Sequence, residues 1–265
     1  MRYTYRSKKN HDYWSERWVN LPVDSEMSNE LIYPLKNSIG TIKGDKKGKI
    51  LEAGCGNGRI LRYFHNKGYN IHGIDFIENA IDKLKKADQS LLVSTQSILN
   101  TDFKDNEFKY ILAFGLYHNF RNELLPALAE TSRILKKNGI LCASFRADNM
   151  QNLILDIVME KRQHLKLNES NKYFHKANFT IRDLTLLFSK TNFEIISVDK
   201  EFNMPFLFKF KIFRHLKQKS FNEKSGRNEG YKLNLIGDLI FRSLKFIFPS
   251  QFCSLYVVNA RLKEK

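Results

Sequence analysis

Cysteine is scarce in this chain. Its 265 residues hold three, Cys55, Cys142 and Cys253, an odd number set far apart, with no Cys-x-x-Cys pair and no Cys/His cluster. That excludes a disulfide framework and gives no support to a zinc site. It points instead to a reducing, cytoplasmic compartment. Long apolar runs are missing too. No stretch of 18 or more apolar residues occurs, so no membrane-spanning helix is expected. The opening residues, MRYTYRSKKNHDYW, are basic and aromatic but lack the apolar stretch and small-residue site of a secretory signal. No internal repeat and no low-complexity tract is seen. Acidic residues are in deficit: 28 Asp+Glu face 44 Lys+Arg, a net charge of +16. Such an excess suits contact with the phosphates of nucleic acid or of a membrane surface. It equally suits a solvated, lysine-rich surface with no partner.

What is present is a globular composition. Hydrophobic residues make up 42% and charged residues 27%, which is incompatible with a largely disordered chain. The length fits one α/β domain with an elaboration, or two small domains, and it suffices to bury a full core without staples.

From residue 49 a rhythm begins. KILEAGCG (49–56) is a short apolar run closed by glycines. GRILRYFHNKG (58–68) has helical spacing and stops at Gly68. YNIHGIDF (69–76) alternates like a strand, ENAIDKLKKA (78–87) is helical, and SLLVSTQSI (90–98) is a strand. KYILAFGLYHNF (109–120) reads as a buried strand and a loop, ELLPALAETSRILKKNG (123–139) as a helix capped by Gly139, and GILCASFR (139–146) as a strand. Strands alternating with helices predict parallel βαβ units with helices on both faces of one sheet. Later, TIRDLTLLFSKTN (180–192) is a helix with Thr180 as N-cap, and NFEIISVDKEF (192–202) and SLYVVNARLK (254–263) are strands. Composition shifts between those two strands. From residue 209 onward, 13 Lys+Arg stand against 4 Asp+Glu, and ten phenylalanines lie between Phe202 and Phe252.

The most informative segment is Glu52-Ala53-Gly54-Cys55-Gly56-Asn57-Gly58, a strand running into three alternate glycines and then a helix. Glycine allows positive φ and close ligand approach. In the dinucleotide fingerprint G-x-G-x-x-G the third glycine would come one residue later. The acid two residues before the first glycine favours a cationic group, an ammonium or a sulfonium, over a pyrophosphate. Asp75 ends the next strand, where a carboxylate can accept from both ribose hydroxyls of an adenosine ligand. Phe76 follows it and can lie against the adenine. Alone, a glycine turn is often a mere tight turn and a strand-end Asp a mere helix cap; in this order they reinforce each other.

These segments resemble the class I S-adenosylmethionine-dependent methyltransferases. ILEAGCGNGR, HGIDF, SILNTDFKDNEFKYILAFGLYHNF and LAETSRILKKNGILCASF follow one another in family order, with YFHKANFTIRDLTLLFSKTNFEIISV matching more loosely. The resemblance implies S-adenosyl-L-methionine as cofactor and an α/β, doubly wound, seven-stranded Rossmann-like sheet. Five parallel βα units are followed by an antiparallel hairpin of strands six and seven, and the basic, Phe-rich stretch 204–252 becomes an insertion between those two. Residues 1–48 are then an N-terminal lid or helical segment, and 49–203 with 253–265 the methyltransferase domain. By position, Gly54, Gly56 and Gly58 form the turn under the cofactor's methionine part, Glu52 lies beside it, and Asp75 holds the ribose. Ser97 and Ile98 fall at the adenine, where the family usually has an acid before the apolar residue; the serine is a departure. Phe114 and Gly115 end strand four, where cofactor meets substrate.

Methyl transfer is an in-line displacement that depends chiefly on alignment and exclusion of water. An oxygen nucleophile usually needs a general base, whereas a neutral amine does without one. His118, just beyond strand four, is the candidate base; the competing reading is a loop histidine bonded to backbone. Tyr117 is expected to line the pocket. Arg146 is placed to orient an anionic substrate, or is only a solvated strand-end cation. Tyr13 and Trp14 are placed as a lid over the cofactor, against plain packing of a leading helix.

In the insertion, GDLIFRSLKFIF (237–248) puts Leu239, Ile240, Leu244, Ile247 and Phe248 on one helical stripe, while FLFKFKIFRHLKQK (206–219) fits strand or helix. The composition suits extra core, a cover over a bulky or anionic substrate, or peripheral contact with an anionic membrane. The expected function is methylation of an oxygen or nitrogen on a small-molecule or lipid- or sugar-linked acceptor. RNA methylation is the alternative suggested by charge. Against it, strand four ends in AFGLYHN rather than Asp/Asn-Pro-Pro-aromatic, and no RNA-binding module is recognisable. A non-catalytic S-adenosylmethionine-binding scaffold has only Ser97 in its favour.

Overall fold

The computed structural model describes residues 1–21, 23, 27–163, 172–222, 226 and 229–263. The chain opens with β1 (Arg2–Arg6), α1 (Asn10–Asn20) and α2 (Leu35–Ile42). The alternation then runs β2 (Ile50–Ala53), α3 (Arg59–Asn66), β3 (Ile71–Asp75), α4 (Glu78–Ala87) and β4 (Leu92–Thr95). It continues through β5 (Phe108–Ala113), α5 (Leu124–Ile134), β6 (Leu135–Arg146), α6 (Met150–Gln163), β7 (Tyr173–Asn178), α7 (Ile181–Ser189) and β8 (Phe193–Glu201). After the basic stretch come α8 (Leu235–Ile247) and β9 (Leu255–Leu262).

Seven strands form one sheet in the order β4-β3-β2-β5-β6-β9-β8. The pairs among the first five are parallel, and β9 runs antiparallel to both β6 and β8. This is the doubly wound, seven-stranded arrangement expected. Strand order reverses between β2, which leads outward to β3 and β4, and β5 on its other side. Open α/β sheets bind ligands in the crevice at such a reversal, beyond the carboxyl ends of the strands.

Side chains alternate across the sheet with a period of two. Ile50, Tyr110 and Leu112 join one buried cluster with Ile60, Leu61 and Phe64 of α3 and Ile81 and Leu84 of α4. Leu51, Ala53, Ile111 and Ala113 join the other with Leu128 of α5 and Leu184 and Phe188 of α7. Thr180 caps α7 as expected: its side chain accepts from Asp183 N, and Asp183 Oδ2 accepts from Thr180 N at 2.9 Å.

Three local expectations are corrected. The helix expected over 123–139 ends at Ile134, not at Gly139. Leu135 is fully buried and already pairs with Phe108, and Asn138 takes φ 56° to carry the strand past a register shift. The leading segment is not only helical, because β1 pairs with β7 in a separate antiparallel ribbon. FLFKFKIFRHLKQK is neither strand nor helix but three short 3₁₀ turns, Phe206–Lys209, Lys211–Phe213 and Leu216–Gln218.

Candidate active site

The turn after β2 shows why its residues are glycine. Gly54, Gly56 and Gly58 have φ of 73°, 51° and 71°, a region that L side chains avoid. Space forbids a side chain as well. A Cβ on Gly56 would lie 2.5 Å from the Trp18 ring, and one on Gly58 2.6 Å from Leu84 Cδ2. Gly58 therefore lets α4 close against the turn, while Gly54 lines the open crevice.

Asp75 closes the turn from β3. Its Oδ2 accepts from Gly56 N at 2.9 Å and its Oδ1 from Ile77 N at 3.0 Å. Each carboxylate oxygen has two acceptor sites, so the carboxylate retains capacity on the side where it lines the cavity. Burial raises its pKa against these amides. Glu52, near the end of strand β2, accepts from Leu61 N at 2.8 Å and so caps the first turn of α3. Burial pushes its carboxyl up to about 8, with the Leu61 amide and Arg59 opposing and Asp75 adding to the rise. These two buried acids, neither in a salt bridge among the described residues, both line this end of the cavity.

Phe76, half-exposed, meets His11 edge-on at 5.7 Å. Ser97 and Ile98 lie just beyond β4 and line the same cavity; Ser97 Oγ accepts from Leu99 N at 3.2 Å. Phe114, following β5, lines it too and packs edge-on against Tyr33. Ser144 joins these parts, since its Oγ meets both Tyr33 Oη (2.8 Å) and Gly115 N (2.9 Å).

The lid expectation divides. Trp14 lines the cavity, stacked on Trp18 at 5.7 Å, but Tyr13 does not. Tyr13 is one residue round α1, where the Arg6 guanidinium lies 3.7 Å over its ring. Trp18, covering Gly56, takes the place expected for Tyr13; its spacing of four from Trp14 was the available signal. Lys83 of α4 holds α1 down by donating to the carbonyls of Trp18, Val19 and Leu21 at 2.6, 2.7 and 3.0 Å.

Two other expectations change. Tyr117 is not a lining residue. It is fully buried, bonds Thr131 Oγ1 at 2.7 Å and stacks on Phe145 in the core. Its 3₁₀ turn (Tyr117–Asn119) points it under the sheet edge and turns its neighbour His118 toward the cavity. Arg146 does line the cavity, but its fork is occupied: NH1 and NH2 each meet an Asp156 oxygen at 2.8 Å, and NH1 also donates to Asn178. It is an ion-paired residue of the wall, not a solvated cation. His118 is held down to about 3, first by burial, then by Lys176 and Arg146. At neutral pH it is an uncharged imidazole of low basicity.

The cavity, about 1790 Å³, runs from Gly54 and Asp75 past Phe114 to His118, Arg146, His175 and Lys176. Ordinary ligand pockets span roughly 300–1,000 Å³, so it has room for a cofactor and a second molecule. The family model for a methyltransferase domain matches residues 51–143, the stretch that carries the glycine turn, Asp75 and the start of the cavity's second half. Residues 51–143 are a methyltransferase domain, and the sheet built around them has the Rossmann-like fold of the class I S-adenosylmethionine-dependent methyltransferases. The methyltransferase is similar to a curated relative, the mitochondrial arginine-hydroxylase NDUFAF5 of Dictyostelium discoideum. The two are 25% identical over 198 residues, 66% of this chain and 44% of that protein; the chain thus spans less than half of the relative's length. Among solved structures, an S-adenosylmethionine-dependent methyltransferase from Methanosarcina mazei matches at TM-score 0.58 and 16% identity, covering 88% of this chain and 99% of the other. A Burkholderia thailandensis 1,6-didemethyltoxoflavin-N1-methyltransferase, with S-adenosylhomocysteine bound, matches at 0.52 and 15%, covering 86% and 76%. The cofactor of this methyltransferase is S-adenosylmethionine. The residues present suit it: two buried acids for a cationic ligand, an Asp75 carboxylate with acceptor sites to spare, and a glycine turn whose Gly54 lines the cavity.

Proposed function

We propose that this enzyme methylates an oxygen or nitrogen of a small-molecule acceptor, free or linked to a lipid or sugar. The observation that carries this reading is the single continuous cavity, which joins the Asp75 end to the His118 end and exceeds one ligand in volume. In the proposed arrangement Asp75 accepts from the ribose hydroxyls, Glu52 faces the positive charge, and Phe76, Ser97 and Ile98 surround the adenine. Phe114 and Tyr33 separate the two halves. Trp14 and Trp18 exclude water from the cofactor side, which strengthens every electrostatic contact within. The bound cofactor supplies a methyl group on a positively charged sulfur. The chain's part is to align the acceptor atom with it and to keep the site dry.

The experiment incubates the protein with S-adenosylmethionine labelled in its methyl group and with metabolite, lipid and RNA fractions. Label in a small-molecule or lipid fraction supports the reading, and label in RNA alone overturns it. The relative's name brings hydroxylation as a competing chemistry, which mass spectrometry of the product separates: the added mass is a methyl group's or an oxygen's.

A peripheral membrane position is favoured by α8. No helix among the described residues is long and apolar enough to cross a membrane. Yet Leu235 is 90% exposed and Phe246 89%, with Ile236, Leu239, Ile240 and Ile247 also exposed. The turn packed against the start of α8 adds Ile212 and the exposed cation Lys211. An apolar face with a cation at its edge matches the requirements of an anionic bilayer interface. The other side of α8 presents Asp238, Phe241, Arg242 and Lys245 to the cavity, so a lipid-linked acceptor would enter where the helix meets the membrane.

A further inference from the structure

The far end of the cavity is rich in cations, with Asp156 already bound to Arg146. Lys9, Arg121, Arg146 and Lys176 all line the cavity, whose cofactor end holds the acids Glu52 and Asp75. Lys176 is the telling residue. Its ammonium forms no ion pair among the described residues. The charged groups around it are Arg146 and Asp156 from β6 and α6 and Arg2 and Arg6 from β1. Asp156 is already committed, twice to Arg146 and once to Arg2 at 2.7 Å. A desolvated ammonium beside three guanidiniums is destabilised unless an anion joins it. Burial and Arg146 accordingly hold Lys176 down to about 7.

The backbone is bent to build this wall. In the β1–β7 ribbon Thr4 faces Lys176 and Tyr5 faces Phe174, so His175 is an extra residue in a bulge. Bulges re-aim side chains next to sites, and here His175 and Lys176, adjacent in sequence, both line the cavity. His118 completes the wall with a buried Nδ1 that has no hydrogen-bond partner. An unmet buried donor or acceptor is destabilising, which a ligand atom would relieve.

We propose that this end of the cavity, walled by His118, Arg146, His175 and Lys176, is a subsite for an anionic group of the acceptor, a carboxylate or a phosphate. Lys176 is the direct ion partner, Arg146 is a positioning residue fixed by Asp156, and His118 Nδ1 accepts from a hydroxyl carried beside the anionic group. The inference rests on the methyltransferase reading above and narrows its substrate class. It also revises the part of His118. Burial first, then Lys176 and Arg146, hold its basicity down, and an anion beside the two cations offsets only their part.

The test uses the full chain saturated with S-adenosylhomocysteine. Inorganic phosphate and malonate are titrated separately by calorimetry at constant ionic strength, near pH 6 and near pH 8.5. At least one anion should bind saturably and roughly tenfold more weakly at the higher pH, where Lys176 has lost its proton. Lys176→Met should abolish the signal, and Lys176→Arg should keep it without the pH dependence. A response to phosphate alone assigns a phosphate ester, and one to malonate alone a carboxylate. Absence of saturable binding by either anion to the wild type overturns the subsite, as does equal binding by Lys176→Met. S-adenosylhomocysteine affinity, measured in parallel, reports on the cofactor half: its loss in the wild type would strike the methyltransferase reading, whereas its retention with no anion binding strikes only this inference.

Discussion

Asp75 does two things with one carboxylate. It ties the glycine turn to the start of α4 through Gly56 N and Ile77 N, and it keeps acceptor sites toward the cavity. Hydrogen bonds to a charged group are worth roughly 1.5–3 kcal/mol each. Asp75→Ala is therefore expected to weaken S-adenosylhomocysteine binding at least about tenfold by calorimetry; unchanged affinity would remove the ribose assignment. Glu52 gives a pH prediction. Its folded-state pKa of about 8 lies above the ordinary 4.5, so between those values the folded protein binds more protons than the unfolded chain. Its favourable contribution is complete below about pH 4.5 and declines as pH rises through about 8. Glu52→Gln, which keeps an acceptor for Leu61 N, should match the wild type's melting temperature near pH 5 and exceed it near pH 8. Equal melting temperatures at both values would show that Glu52 is ionised in the free protein. At this scale the sequence disclosed the glycines and both acids, because their chemistry is local. It concealed Lys176 and the burial of Tyr117, because those depend on a bulge opposite β1 and on the turn of a 3₁₀ segment.

Among the elements, α8 combines two surfaces that rarely coexist. Phe241 is buried and joins the cavity wall, whereas Leu235, Ile236, Leu239 and Phe246 face outward. The apolar stripe was readable from helical spacing, but its exposure was not, since periodicity reveals a face and not what covers it. Leu239→Glu combined with Phe246→Glu should abolish co-sedimentation with vesicles containing phosphatidylserine while leaving S-adenosylhomocysteine affinity intact. Wild-type protein that fails to sediment with such vesicles, or sediments equally with purely zwitterionic ones, would dismiss the anionic bilayer. The neighbouring turns around Phe206–Gln218 defeated any periodic reading because three brief 3₁₀ turns bring apolar residues round at no constant interval.

For the molecule as a whole, the last strand is central. β9 pairs with β6 on one side and β8 on the other, and Val257, Val258 and Ala260 are fully buried. Deleting 253–263 leaves β8 with no neighbour and opens both cores, so the shortened chain should show no cooperative thermal unfolding by circular dichroism; a sharp transition like that of the full chain would contradict this placement. The sheet was legible because each βα unit carries its own periodicity and its own stop signal. The β1–β7 ribbon was not, because its pairing spans most of the chain and its residues are mixed aromatic and charged.

The chain contains two tryptophans, Trp14 and Trp18, and they stack on each other over Gly56. Intrinsic emission excited at the indole band therefore originates from a single corner of the molecule. A dye-free fluorimeter trace would follow the docking of α1 in real time.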